Sequence, residues 1–162
     1  MKNSIRKIIS LLLTVIIIAG ISTTAFAVKE NNMTTQALKF NQDGKFKIMH
    51  VTDTHLDEDN VEDSVWLLAQ ACDREQPDLV VVTGDNVTNN DDANVTKKHI
   101  DMLMNVFQSR NIPTAITFGN HDSETGAMSR EELMAYYNTY SCSVSIDDGP
   151  SISGCGTYNI PV

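Results

Sequence analysis

The chain has 162 residues, enough for one ordinary domain, and carries 21 acidic against 12 basic side chains, a formal net charge of −9. An excess of that sign repels phosphate backbones, which argues against non-specific nucleic-acid binding, and it suits multivalent cations. Three cysteines, Cys72, Cys142 and Cys155, cannot all pair within one chain, and no Cys/His spacing of the zinc-finger kind occurs.

Residues 1–27 read as a signal peptide. Lys2, Arg6 and Lys7 give a basic start, Ile8 to Ile21 is nearly all apolar, and Ala25-Phe26-Ala27 has the small-x-small pattern of a cleavage site. The rival readings are an uncleaved anchor and a segment of other purpose; the strongly apolar run is short of the roughly 20 residues a span needs. Cleavage after Ala27 predicts a secreted chain with no stable membrane span. Nine basic residues then face 21 acidic ones, a net charge of −12. Residues 28–44 are polar and aperiodic, a leader into a domain over 45–162.

The domain opens with a strand over Lys45 to Thr52. Val61, Val65, Leu68, Ala69 and Cys72 fall on one stripe, which predicts a helix from Val61 to Glu75 with Cys72 buried and inert. The acidic stretch 57–63 reads as charge at that helix start, favoured by the helix dipole, and Pro77-Asp78 follows its end. Leu79 to Thr83 is a strand apolar enough to be covered on both faces. Asp91-Asp92 precede a helix over Ala93 to Arg110, with Thr96, Ile100, Leu103, Val106 and Phe107 on one face. His99 reads as a surface or boundary residue of this helix, and His50 as a strand residue facing a helix layer. Pro113 to Phe118 is the third strand. Ser129 and Glu132 form a capping box that opens a helix through about Tyr140. Short apolar pieces follow at 144–146 and 158–162, and Cys142 and Cys155 are candidates for a disulfide. The order β-α-β-α-β-α with short loops predicts an α/β fold, a mainly parallel sheet with helices on its faces.

In an open parallel sheet ligands bind at the carboxyl ends of the strands. Here the three strands end in Asp53-Thr54-His55, Gly84-Asp85-Asn86 and Gly119-Asn120-His121-Asp122. Carboxylate oxygen, amide oxygen and imidazole nitrogen are the donors that hard and borderline dications accept. Asp53 and His55, two apart, can address one ion, and Asp85 has two oxygens with which to bridge two. Two ions about 4 Å apart can clamp a phosphoryl group and activate a water. Gly84 and Gly119 allow sharp turns at that edge. Taken singly, each piece has an ordinary reading as a turn or a helix cap. All three on one sheet edge make a constellation.

In this order "DTH", "GDN" and "GNHD" resemble the first three motifs of the calcineurin-like metallophosphoesterases. "FGNHDSE" following "VVTGDNVT" is most similar to purple acid phosphatase-like proteins, and the resemblance runs from Phe46 to Val162. It implies the N-terminal half of that family's α/β sandwich. It also implies a phosphatase that hydrolyses phosphate esters with a metal-bound hydroxide at a two-metal site. Asp53 and His55 would bind one ion, Asp85 would bridge, and Asn120 would bind the second. His121 would act on the phosphoryl transition state or protonate the leaving oxygen, with Asp122 orienting its ring. The ions would be manganese, zinc or iron. Thr88 stands where purple members carry a tyrosine, so no charge-transfer colour is expected. The family's further histidine ligands, including a G-H-x-H motif, have no counterpart: His50, His55, His99 and His121 are the four histidines of the chain. The expectation is a partial phosphoesterase. Its alternatives are an inactive remnant that binds a metal or partner, or one half of a split site completed by a second chain.

Overall fold

Strands and helices alternate along the chain: β1 (Ile48–Val51), α1 (Val61–Glu75), β2 (Leu79–Thr83), α2 (Ala93–Gln108), β3 (Thr114–Thr117) and α3 (Arg130–Tyr137). They belong to a computed structural model that describes residues 37–162 except 89, 90, 148, 150 and 151. The expected signal peptide and most of the leader lie outside the described residues. Among the described residues no helix is long and apolar enough to cross a membrane.

The three strands form one sheet in the order β1-β2-β3. Both pairings are parallel, with Ile48 opposite Leu79 and Val80 opposite Thr114. Parallel neighbours joined by crossovers of one hand put every connecting helix on the same side. The packing agrees: Val51, Val80, Val82 and Ile116 share one core with Cys72 of α1, Ile100, Leu103 and Phe107 of α2, and Leu133 and Tyr137 of α3. Among the described residues the helices therefore cover one face of the sheet. The opposite face carries Leu79, Ala115 and Val144, packed with Leu38, Phe46, Tyr158 and Ile160. It is thinly covered, and Ile48 is 55% exposed.

Period-two alternation then settles His50. Met49 and Val51 point to the helices, so His50 turns to the thin face, where it is exposed and its Nε2 lies 2.6 Å from Thr83 Oγ1. The expectation that His50 faces a helix layer is corrected. So is the placement of His99, which is fully buried on α2 beside Ile100 and not at its surface.

Strand and helix ends follow local chemistry. β1 is shorter than Lys45 to Thr52 because the Lys47 N–H is taken by the Asp78 carboxylate at 2.7 Å. The Asp92 side chain caps α2 by accepting the Asn94 N–H at 2.8 Å. The Ser129–Glu132 capping box is present in both directions, but α3 ends at Tyr137 and the chain runs on in turns to Cys142. There residues 142–145 run beside β3: the Thr114 N–H donates to Cys142 O at 2.8 Å and the Val144 N–H to Thr114 O at 2.9 Å. The Cys142–Cys155 disulfide, one possibility in the sequence, is not formed. Cys142 is buried, while Cys155 Sγ lies 3.4 Å from Arg130 O, and all three cysteines are free.

Candidate metal centre

Beyond their carboxyl ends β1 and β2 stay side by side. The Asp53 N–H donates to Gly84 O at 3.1 Å, His55 N–H to Asp85 O at 2.9 Å and Leu56 N–H to Asn86 O at 2.9 Å. The Thr88 N–H returns to Leu56 O at 3.2 Å, and Thr54 Oγ1 donates to Asn86 O at 2.8 Å. This ladder of loops is not regular strand. Asp53, His55 and Asp85 have φ of 54°, 43° and 52°. A left-handed backbone is uncommon for residues with a side chain, and such conformations cluster at functional sites. Here they turn three side chains of metal-ligand type toward one place. One ligand atom from each of Asp53, His55 and Asp85 lies within 4.8 Å of the others. Asp53 is exposed and the other two are half-buried.

The third loop is pressed against the second through two glycines. A Cβ on Gly84, whose φ is 101°, would stand 2.2 Å from the Gly119 nitrogen, and one on Gly119 would stand 2.1 Å from Asp85 Oδ1. No larger residue fits either position without moving the loops apart. The Asp85 carboxylate in turn accepts the His121 N–H at 2.9 Å. The His55 and His121 rings meet edge to face, centroids 5.2 Å apart.

Asp122 is buried behind this surface. Its Oδ2 accepts the N–H groups of Asp85 and Gly119, both at 2.7 Å, and its Oδ1 accepts those of Asn86 at 2.8 Å and Val87 at 3.4 Å. The expected contact between Asp122 and the His121 ring is not made. Glu124 has that part instead, with Oε2 2.7 Å from His121 Nδ1. The hydrogen bond to Glu124 raises the imidazole pKa above its usual 6.5, with Asp85 and Asp122 adding to the effect. Asn120 is exposed in the turn between Gly119 and His121. Arg130, at the start of α3, donates to Gly119 O at 2.8 Å and ties this turn to the helix.

The structure therefore brings Asp53, His55 and Asp85 together and sets His121 beside them. It places Asn120 in the adjoining turn and gives Asp122 to the backbone. Glu124 was legible in the sequence only as a carboxylate three residues after His121. Two carboxylates and an imidazole, converging from two hydrogen-bonded loops, fit a hard or borderline dication.

A family model described as calcineurin-like phosphoesterase matches residues 46–159. The chain is similar to the probable inactive purple acid phosphatase 14 of Arabidopsis thaliana, 32% identical over 77% of this chain and 36% of that protein. Probable inactive purple acid phosphatase 28 of the same plant is 28% identical over 77% of this chain and 38% of its own length. An uncharacterized metallophosphoesterase of Aquifex aeolicus is 32% identical over 57% and 34%. The chain thus spans little more than a third of the length of these relatives. No solved structure matches it.

Proposed function

We propose that this chain, which belongs to the calcineurin-like phosphoesterase family, carries one side of a metal-dependent site for hydrolysing phosphate esters. The observation that supports this reading is the convergence of Asp53, His55 and Asp85 within 4.8 Å at the carboxyl ends of β1 and β2. In this proposal Asp53 and His55 would hold a first ion, Asn120 would hold a second through its amide oxygen, and Asp85 would be a ligand common to both. Bound ions of this kind, manganese, zinc or iron, supply Lewis acidity toward phosphoryl oxygens and make water more acidic.

The chain's own residues do the rest. His121 stands beside the ligands with Nδ1 taken by Glu124, which leaves Nε2 to face a phosphate oxygen or the leaving group. A raised pKa keeps more of that ring protonated at neutral pH, the form that donates. Asp122 keeps the Asp85 and Gly119 loops in register and does not touch the reacting atoms.

The proposal places the protein outside the cell, on the basic start, apolar run and Ala25-Phe26-Ala27 of its first 27 residues. Its substrate is a phosphate ester. A second reading, metal binding without turnover, is favoured by the relatives, two of which are named probable inactive purple acid phosphatases. In that reading Asp53, His55 and Asp85 hold an ion without hydrolysis, alone or beside a complementing chain.

Titration of the full chain with Mn²⁺, followed by p-nitrophenyl phosphate hydrolysis, separates the readings. Binding that Asp85→Asn abolishes, together with hydrolysis, supports the enzyme. Binding without hydrolysis supports the second reading. A chain whose Mn²⁺ binding is unaffected by Asp85→Asn refutes both.

A further inference from the structure

Asp53 is the one exposed member of the three converging ligands. The other two have neighbours that fix them. Asp85 Oδ1 accepts the His121 N–H at 2.9 Å, and the half-buried His55 ring packs edge to face on that of His121. The Asp53 backbone is held as well, by its N–H donating to Gly84 O at 3.1 Å in a left-handed turn. Its carboxylate stands in solvent, where packing does not choose its rotamer.

Two contacts divide that carboxylate. Thr52 follows Val51, the last residue of β1, and is itself exposed. Its Oγ1 donates to Asp53 Oδ2 at 2.5 Å. Hydroxyl-to-carboxylate bonds of this length are charge-assisted and about twice as strong as neutral ones. The other oxygen, Asp53 Oδ1, lies 3.7 Å from His55 Nε2. One oxygen is therefore occupied, and the other is left on the side of the converging ligands.

We infer that Thr52 is a positioning residue that sets the metal preference of the centre: by taking Oδ2 it leaves Asp53 a single oxygen, Oδ1, to offer an ion. The inference rests on reading Asp53, His55 and Asp85 as ligands. Its chemical consequence is selectivity. Calcium fills a shell of about 6–8 oxygens and readily takes both oxygens of one carboxylate, whereas smaller dications complete their shells with fewer donors. An Asp53 restricted to one oxygen favours Mn²⁺ or Zn²⁺ over Ca²⁺. Freed of Thr52, the same carboxylate could turn and bind through both.

The test is the affinity of the full chain for Mn²⁺, read by electron paramagnetic resonance, and for Ca²⁺, read by its displacement of Mn²⁺. The proteins are wild type, Thr52→Val, Thr52→Ser and Asp85→Asn. Thr52→Val keeps the shape of the side chain without the hydroxyl, and Thr52→Ser keeps the hydroxyl. Position 52 is exposed, so neither change empties the core. Loss of a group that orients a metal ligand typically weakens binding by about 10- to 100-fold. The expected result for Thr52→Val is Mn²⁺ affinity about tenfold lower with Ca²⁺ affinity at least equal to wild type, and for Thr52→Ser both within about twofold of wild type. General loosening of the loops would lower both affinities together. An unchanged Mn²⁺/Ca²⁺ preference in Thr52→Val therefore overturns the inference, as does an equal change in Thr52→Ser and Thr52→Val. If wild type fails to bind Mn²⁺, or Asp85→Asn binds it as well as wild type, the ligand reading fails and the inference falls with it.

Discussion

The Asp122 carboxylate holds the backbone of Asp85: its Oδ2 accepts the Asp85 N–H at 2.7 Å while the Asp85 side chain is left to face the site. The same carboxylate accepts three more N–H groups, from Gly119, Asn86 and Val87. A buried anion with several amide donors is a structural centre, and its removal strands those donors.

Asp122→Ala should accordingly cost about 3 kcal/mol of stability, read from chemical denaturation of the metal-free chain. His121→Ala, one residue earlier and half-exposed, should leave the denaturation midpoint unchanged. Equal, small effects of the two changes would mean that Asp122 does not organise the loops.

The Gly84–Gly119 contact gives a second test. Gly119→Ala directs a methyl group at Asp85 Oδ1, so it should lower Mn²⁺ affinity and destabilise the fold by about 1–3 kcal/mol. Gly84→Ala adds an unfavourable φ to a clash with backbone, so it should be the more damaging of the pair. Thermal melts of both variants beside wild type decide this.

At Asp53, with φ of 54°, the backbone and the side chain can be separated. Asp53→Gly and Asp53→Ala should both lose the metal. Asp53→Gly should be the more stable of the two by about 1 kcal/mol, because only alanine suffers the left-handed conformation. Equal stability would show that position 53 does not adopt this backbone in solution.

The Glu124 contact predicts a titration shift. Glu124 raises the His121 pKa above 6.5, so Glu124→Gln should lower it, as followed by NMR of the ring protons in the metal-free chain. An unchanged or higher value would remove Glu124 from the site.

His99 predicts a pH dependence of stability of the opposite sign. Burial, first, and then Lys98 lower its pKa from 6.5. The unfolded chain therefore takes up this proton near pH 6.5 and the folded chain only further down. Between those points the unfolded state binds more protons, so the contribution is lost as pH falls below about 6.5. Relative to wild type, His99→Gln should flatten the loss of stability between pH 7 and 5. Parallel curves would mean that His99 titrates alike in both states.

The sequence by itself determined the order of elements, the parallel sheet, the Ser129 cap and the three polar strand endings. These are local: a helical stripe, a capping box or an apolar run ending in glycine is written within a few residues. α1 and β2 could be placed to the residue for that reason. Tertiary structure decided what no short stretch encodes. Sequential strand order put every helix on one face, and so exposed His50 and buried His99. The left-handed turns at Asp53, His55 and Asp85 exist because two loops keep bonding to each other past the strand ends. The exchange of roles between Asp122 and Glu124 has the same origin. Both lie close behind His121 in sequence, but only Asp122 falls where the amides of two loops converge, and a buried carboxylate goes to the donors that would otherwise be left without partners.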